Sequence, residues 1–273
     1  MSLQAAEGTY SVGRKSRRYE VPFIRYGNND SEIVFSAGVG NDLENPQKET
    51  FQYLHETANR EGIGVTYIFL PGHGRHPIRR YDHIVHEEQL IGYARRNPER
   101  KKRMFAAISL SSYPMARVAE QIKDYISCMA IGCGGTDIRK GLLNMFQRPF
   151  KHPELHNSKN GKGFFLDGNV LKPVFGYNDL RGEGYYQIAS SLINLMSMQT
   201  PFSDMEPDLT GLNVLTISAK GDEIMTIHNS RLLSRRLEEF GANVKTIEFD
   251  GTHAFPDKKR EFANELVKYF QRF

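Results

Sequence analysis

Three short segments of this 273-residue chain carry residue types suited to nucleophilic catalysis. The stretch "AAISLSSYPMARVAEQI", Ala106 to Ile122, reads as an apolar strand, then Ser109, Ser111 and Ser112, then Pro114 and a helix. "SAKGDEIM" puts Asp222 just after a strand and a glycine, and "EFDGTHAF" puts His253 after a strand and a turn of small residues. A serine hydroxyl is a weak nucleophile until a base takes its proton. An imidazole can be that base, and a carboxylate can hold the imidazole in the tautomer the reaction needs.

Sterics separate the serines. A nucleophile on a sharp strand-to-helix turn needs small residues two positions before and two after it, because larger side chains would collide. Around Ser109 those positions hold Ala107 and Ser111; around Ser111 they hold Ser109 and Tyr113. Ser109 is favoured, directly at the end of the strand Met104 to Ile108. Pro114 argues for Ser111, since a proline suits the first turn of a helix and stands three residues after Ser111 but five after Ser109. The stretch also suits a serine-rich helix start with no chemistry. Asp222 equally suits a turn aspartate, with Glu223 as the fallback carboxylate, and His253 a surface loop histidine; Asp250 reads as part of its turn. Tetrahedral oxyanion stabilisation would come from the backbone N–H of Leu110 and, from the turn "SAGVGN", the N–H of Val39 between Gly38 and Gly40. That turn also suits a plain strand-to-helix connection.

The elements that must hold these residues follow from periodicity. Strand patterns run through "YEVPFIRYG", "SEIVFSAG", "GVTYIFLPG", "RMFAAIS" and "SCMAIGCGG", with helical patterns from Thr50 to Gly62, from His83 to Arg96 and over "MARVAEQIKDYI". The alternation resumes with "LNVLTISAKGD", a helix, "NVKTIEFDG" and an amphipathic carboxyl-terminal helix. Nearly continuous apolar strands alternating with helices predict an α/β fold, a mostly parallel sheet with helices on both faces. Ligands of such sheets bind beyond the carboxyl ends of the strands, where Ser109, Asp222 and His253 fall. Between the halves 1–137 and 209–273, the segment 138–208 breaks the rhythm and reads as an inserted cap. Its apolar helix, with Ile188, Leu192, Leu195 and Met196 on one face, suits an acyl pocket or equally the cap's own core.

Composition narrows the class. A net charge of +4 is too small for a nucleic-acid-binding signature, and "RKSRR" and "ERKKR" read as solvated faces. No apolar run reaches membrane-spanning length, no leader-like segment opens the chain, and two cysteines, Cys128 and Cys133, imply small core residues in a reducing, cytoplasmic setting. Histidines at 73, 76, 83, 86, 152 and 156 have some metal-like spacings, but without a zinc-protease pattern and with Pro77 interrupting, so the reading is no metal and no cofactor.

Ser, Asp and His in that chain order, each after a strand, resemble the triad of the α/β-hydrolases. "PGHGRHP" resembles the turn those enzymes carry before the elbow strand. Within the superfamily, "SLSSYPMARVA", "CMAIGCGGTDIRKGL" and "GYYQIASSLINLMSMQTPF" resemble the bacterial luminescence acyltransferases, which are myristoyl-acyl-carrier-protein thioesterases. This chain departs from that pattern by about three residues after the elbow, Ser112 to Pro114, and by a longer, more basic cap. The resemblance implies an α/β-hydrolase fold, Ser109, Asp222 and His253 as the triad, and a small-molecule ester or thioester substrate, with an acyl-carrier-protein or CoA thioester as one form. The same residues would serve an amidase or carbon–carbon bond hydrolase, and the fold also hosts silent small-molecule-binding proteins. The acyl group, the leaving group and the oligomeric state are not encoded in any motif.

Overall fold

The computed structural model describes residues 5–13, 18–27, 30–36, 49–71, 76–77, 81–96, 102–137, 139–141, 144 and 202–273. The eight strands among the described residues form one sheet in the order β1-β2-β4-β3-β5-β6-β7-β8. They are β1 (Ala5–Val12), β2 (Tyr19–Tyr26), β3 (Ser31–Ser36), β4 (Gly64–Ile68), β5 (Lys102–Ile108), β6 (Cys128–Gly132), β7 (Asn213–Ala219) and β8 (Asn243–Phe249). β1 and β2 run antiparallel to their neighbours; from β4 through β8 every pairing is parallel.

Helices α1 (Glu49–Arg60), α2 (His83–Arg96), α3 (Ser112–Ile122), α4 (Ile227–Glu239) and α5 (Lys259–Phe270) cover both faces. The alternation of side chains along a strand divides the interior into two cores. From β5, Phe105 and Ala107 join Leu90, Val118 and Leu237 of α2, α3 and α4. Met104, Ala106 and Ile108 join Leu54 of α1 and Phe262 and Leu266 of α5 on the other face. Burial on both faces is why β5 reads as an unbroken apolar run. Each fully buried Leu, Ile or Phe here stabilises the fold by about 1.5–3 kcal/mol.

Two local departures from the periodicity have simple causes. β1 has no clear alternation, because only Tyr10 and Val12 are buried in it; its registry with the whole of β2 makes it a strand. β4 stops at Ile68 although the apolar pattern continues, since Phe69 and Leu70 leave the ladder while staying buried. Among the described residues no helix is long and apolar enough to cross a membrane. Residues 145–201, most of the expected cap, lie outside the described residues.

Candidate active site

At the carboxyl end of β5 the backbone turns sharply. Ile108 is extended (φ −134°, ψ 144°), and Ser109 takes φ +58°, a left-handed conformation costly for a residue with a Cβ. A 3₁₀ turn, Ser109–Ser111, leads directly into α3. This turn resolves the position of Pro114. The α-helix starts at Ser112, so the proline sits in its first turn, where its missing N–H breaks no helical hydrogen bond. Ala107 and Ser111 are both buried and small, which leaves room for the turn. Ser112 Oγ donates to the Gly132 carbonyl at 2.8 Å and ties the turn to the end of β6. Behind it, a Cβ on Gly134 would stand 2.5 Å from Ile131 and 3.1 Å from Ser112, so the close approach needs glycine.

Two further turns meet this one. The turn after β7 carries Asp222 and the turn after β8 carries His253, and Gly221 N–H donates to the Gly251 carbonyl at 2.9 Å. A side chain at Gly221 would stand 2.8 Å from that carbonyl oxygen, so the two turns lie backbone against backbone. Asp222 is 4% exposed. Its Oδ1 accepts from the amides of Ile224 and Met225 at 2.8 and 2.9 Å, and its Oδ2 faces His253 Nδ1 at 2.7 Å. The turn aspartate and the histidine partner are therefore one residue using different oxygens. His253 Nε2 lies 2.7 Å from Ser109 Oγ. An ionised carboxylate only accepts, so the imidazole carries its proton on Nδ1 and leaves Nε2 to accept from the serine hydroxyl. Ala254 and Phe255 follow in left-handed conformations, φ +62° and +54°, so strain stands on both sides of the Ser–His contact.

The rest of the expected residues distribute unequally. Leu110 occupies the turn next after Ser109, with its side chain buried. Val39 and the apolar set Ile188, Leu192, Leu195 and Met196 lie outside the described residues. Asp250 pairs instead with Lys220 at the surface, 2.9 Å apart. Of the histidines, His86 Nε2 meets Ser36 Oγ at 3.0 Å and His76 accepts from Gln89 Nε2 at 2.7 Å, both in buried polar contacts. One neighbour was not singled out for chemistry by the sequence: Cys133, free, buried and left-handed at φ +46°, whose Sγ accepts from Ala254 N–H at 3.3 Å. Only its place just after β6 could have signalled it.

No family model and no curated protein matches the chain. Solved structures do. An esterase from Pyrococcus furiosus superposes with a TM-score of 0.68 at 11% identity, covering 100% of this chain and 94% of that one. A monoacylglycerol lipase from Paleococcus ferrophilus gives 0.62 at 20% identity over 92% and 98%. A thermophilic esterase from Thermogutta terrifontis gives 0.65 at 12% identity over 98% of each chain. The chain has the α/β-hydrolase fold. On this fold the serine, aspartate and histidine stand in the turns after β5, β7 and β8, the carboxyl edge of three strands of which β7 pairs directly with β8.

Proposed function

We propose that this protein is a hydrolase that cleaves an ester or thioester through an acyl-enzyme, with Ser109 as nucleophile, His253 as general base and acid, and Asp222 as its orienting carboxylate. The observation that carries this reading is the unbroken chain from Ser109 Oγ through His253 to Asp222, 2.7 Å at each contact, with the serine held in left-handed backbone. The names of the structural neighbours, esterases and a monoacylglycerol lipase, support the ester class.

Ser109 Oγ attacks the acyl carbonyl while its proton passes to His253 Nε2. The resulting imidazolium lies against the Asp222 carboxylate, which stabilises it. The backbone N–H groups of Leu110 and Val39 are the proposed donors to the oxyanion. Collapse expels the alkoxide or thiolate, protonated by His253, and the ester to Ser109 remains. His253 then takes a proton from water, which attacks that ester and frees the acid and Ser109 Oγ–H. Ile188, Leu192, Leu195 and Met196 are the proposed wall of the acyl pocket, and thioesters of CoA or an acyl carrier protein are the proposed thioester substrates.

A panel of p-nitrophenyl esters and acyl-CoA thioesters of graded chain length, run on wild type and Ser109→Ala, tests the assignment. Turnover by wild type with loss in Ser109→Ala is expected, with a fluorophosphonate labelling Ser109. Full activity in Ser109→Ala, with none in Ser111→Ala, would overturn it. No labelling together with tight ligand binding would point to a silent binding protein.

A further inference from the structure

Cys133 has no part in the proposed reaction, yet its thiol is packed against the two residues that prepare Ser109. It follows β6 at the carboxyl edge, in strained backbone, fully buried. Its Sγ accepts from the amide directly after His253 and lies within 4.8 Å of an Asp222 carboxylate oxygen. One atom from each of Cys133, Asp222 and His253 falls within 4.8 Å of the other two. Ligands of one tetrahedral zinc ion, bound at about 2.0–2.3 Å, stand roughly 3.3–3.8 Å from one another, so small side-chain adjustments would suffice.

We propose that Cys133, Asp222 and His253 form a site for a soft divalent cation of the zinc class, and that its occupation arrests the reaction. The proposal rests on the triad reading above for its effect on turnover, but not for the binding itself. Sulfur, nitrogen and oxygen from these side chains are a zinc donor set; the thiolate disfavours magnesium and calcium. A thiolate and a carboxylate together neutralise the charge of the cation, which removes the main objection to burying it.

The inhibition follows from proton bookkeeping. In the arrangement the hydrogen bonds favour, His253 turns the N–H of Nδ1 to Asp222 and the lone pair of Nε2 to Ser109. A cation bonded to Nδ1 displaces that proton, which moves to Nε2. Nε2 then has no lone pair for the serine proton, and the nucleophile loses its base. The imidazole stays neutral overall, so the proton released to solvent is the one from the Cys133 thiol. Burial and the Asp222 carboxylate push that thiol well above its usual range, so it is a protonated thiol before the cation arrives.

Zn²⁺ titration of p-nitrophenyl ester hydrolysis, with Mg²⁺ as control and EDTA to reverse it, is the first test. Each variant is compared with its own metal-free rate. Cys133→Ser is expected to weaken Zn²⁺ inhibition by about tenfold or more, while Cys128→Ser, at the far end of β6, leaves it unchanged. Co²⁺ added to Ser109→Ala reads the site without turnover. A thiolate-to-cobalt charge-transfer band with intense visible bands of tetrahedral Co²⁺ is expected, and it should vanish in the Ser109→Ala/Cys133→Ala double variant. Equal Zn²⁺ sensitivity in Cys133→Ser, or no thiolate band in Ser109→Ala, overturns the cation site. The band without any esterase turnover in wild type would leave the cation site standing and defeat the hydrolase reading; turnover without the band would do the reverse.

Discussion

Two clusters of polar side chains lie at opposite edges of the same sheet, and they are built differently. At the amino edge of the parallel strands, Glu32 of β3 is completely buried. Its Oε1 accepts from Arg25 at 2.6 Å, Thr66 at 2.6 Å and Tyr93 at 2.7 Å, and its Oε2 faces Arg103 at 3.3 Å. Arg103 also donates to the Ala94 carbonyl at 2.9 Å. At the carboxyl edge the chain of contacts is linear and has an open end. Asp222 is saturated by two amides and an imidazole, but it leads through His253, whose side chain keeps 16% of its exposure, to a serine on strained backbone. The first cluster surrounds one carboxylate with donors and holds four strands and a helix together. The second is the proposed proton relay. A saturated buried network stabilises the fold, whereas one with a free terminus and stored strain is arranged for chemistry.

The largest expected effect breaks the open end. Ser109→Ala should lower kcat by roughly 10³- to 10⁶-fold with Tm nearly unchanged, read by steady-state kinetics beside thermal unfolding. Asp222→Asn keeps an oxygen for the amides of Ile224 and Met225 but turns an NH₂ toward Nδ1. It should favour the wrong tautomer and cost about 10⁴-fold in kcat. The amino-edge cluster should respond in the opposite sense. Glu32→Ala removes the buried carboxylate shared by Arg25, Thr66, Tyr93 and Arg103 and should cost about 3–5 kcal/mol of unfolding free energy in urea titrations, while kcat of the folded fraction holds. Equal damage to kcat and stability in both clusters would erase the distinction.

A smaller effect sits on α1. His55, 7% exposed and stacked on Tyr26 at 4.1 Å, has its pKa lowered to about 4 by burial. Between pH 6.5 and 4 the unfolded chain binds the proton that the folded chain refuses, so stability falls on acidification. About 1–2 kcal/mol should be lost from pH 7 to 5, and His55→Phe should flatten that part of the profile. The smallest effect belongs to the exposed pair Lys220–Asp250, beside the site but at the surface. Lys220→Ala should leave Tm unchanged within error.

Much of this arrangement was legible in the chain. Apolar runs such as "RMFAAIS" announce strands buried on both faces, and the small residues Ala107 and Ser111 mark Ser109 as the tight turn. β1 was not legible, because Tyr10 and Val12 are too few to make a period and pairing with β2 supplies the rest. Cys133 read as a core residue, and its burial agrees; its contact with the turns of Asp222 and His253 is a long-range fact that no local pattern encodes.

By itself, then, the sequence determined the order of strands and helices from β2 onward among the described residues, because burial periodicity is local, and it favoured Ser109 over Ser111 by the sterics of a sharp turn. Tertiary structure decided what touches what. The 2.7 Å contacts among Ser109, His253 and Asp222, the Gly221–Gly251 approach and the thiol beside them depend on β5, β6, β7 and β8 lying side by side. Strand neighbours are set by the pairing of backbones far apart in the chain, and that pairing has no signature in any one segment.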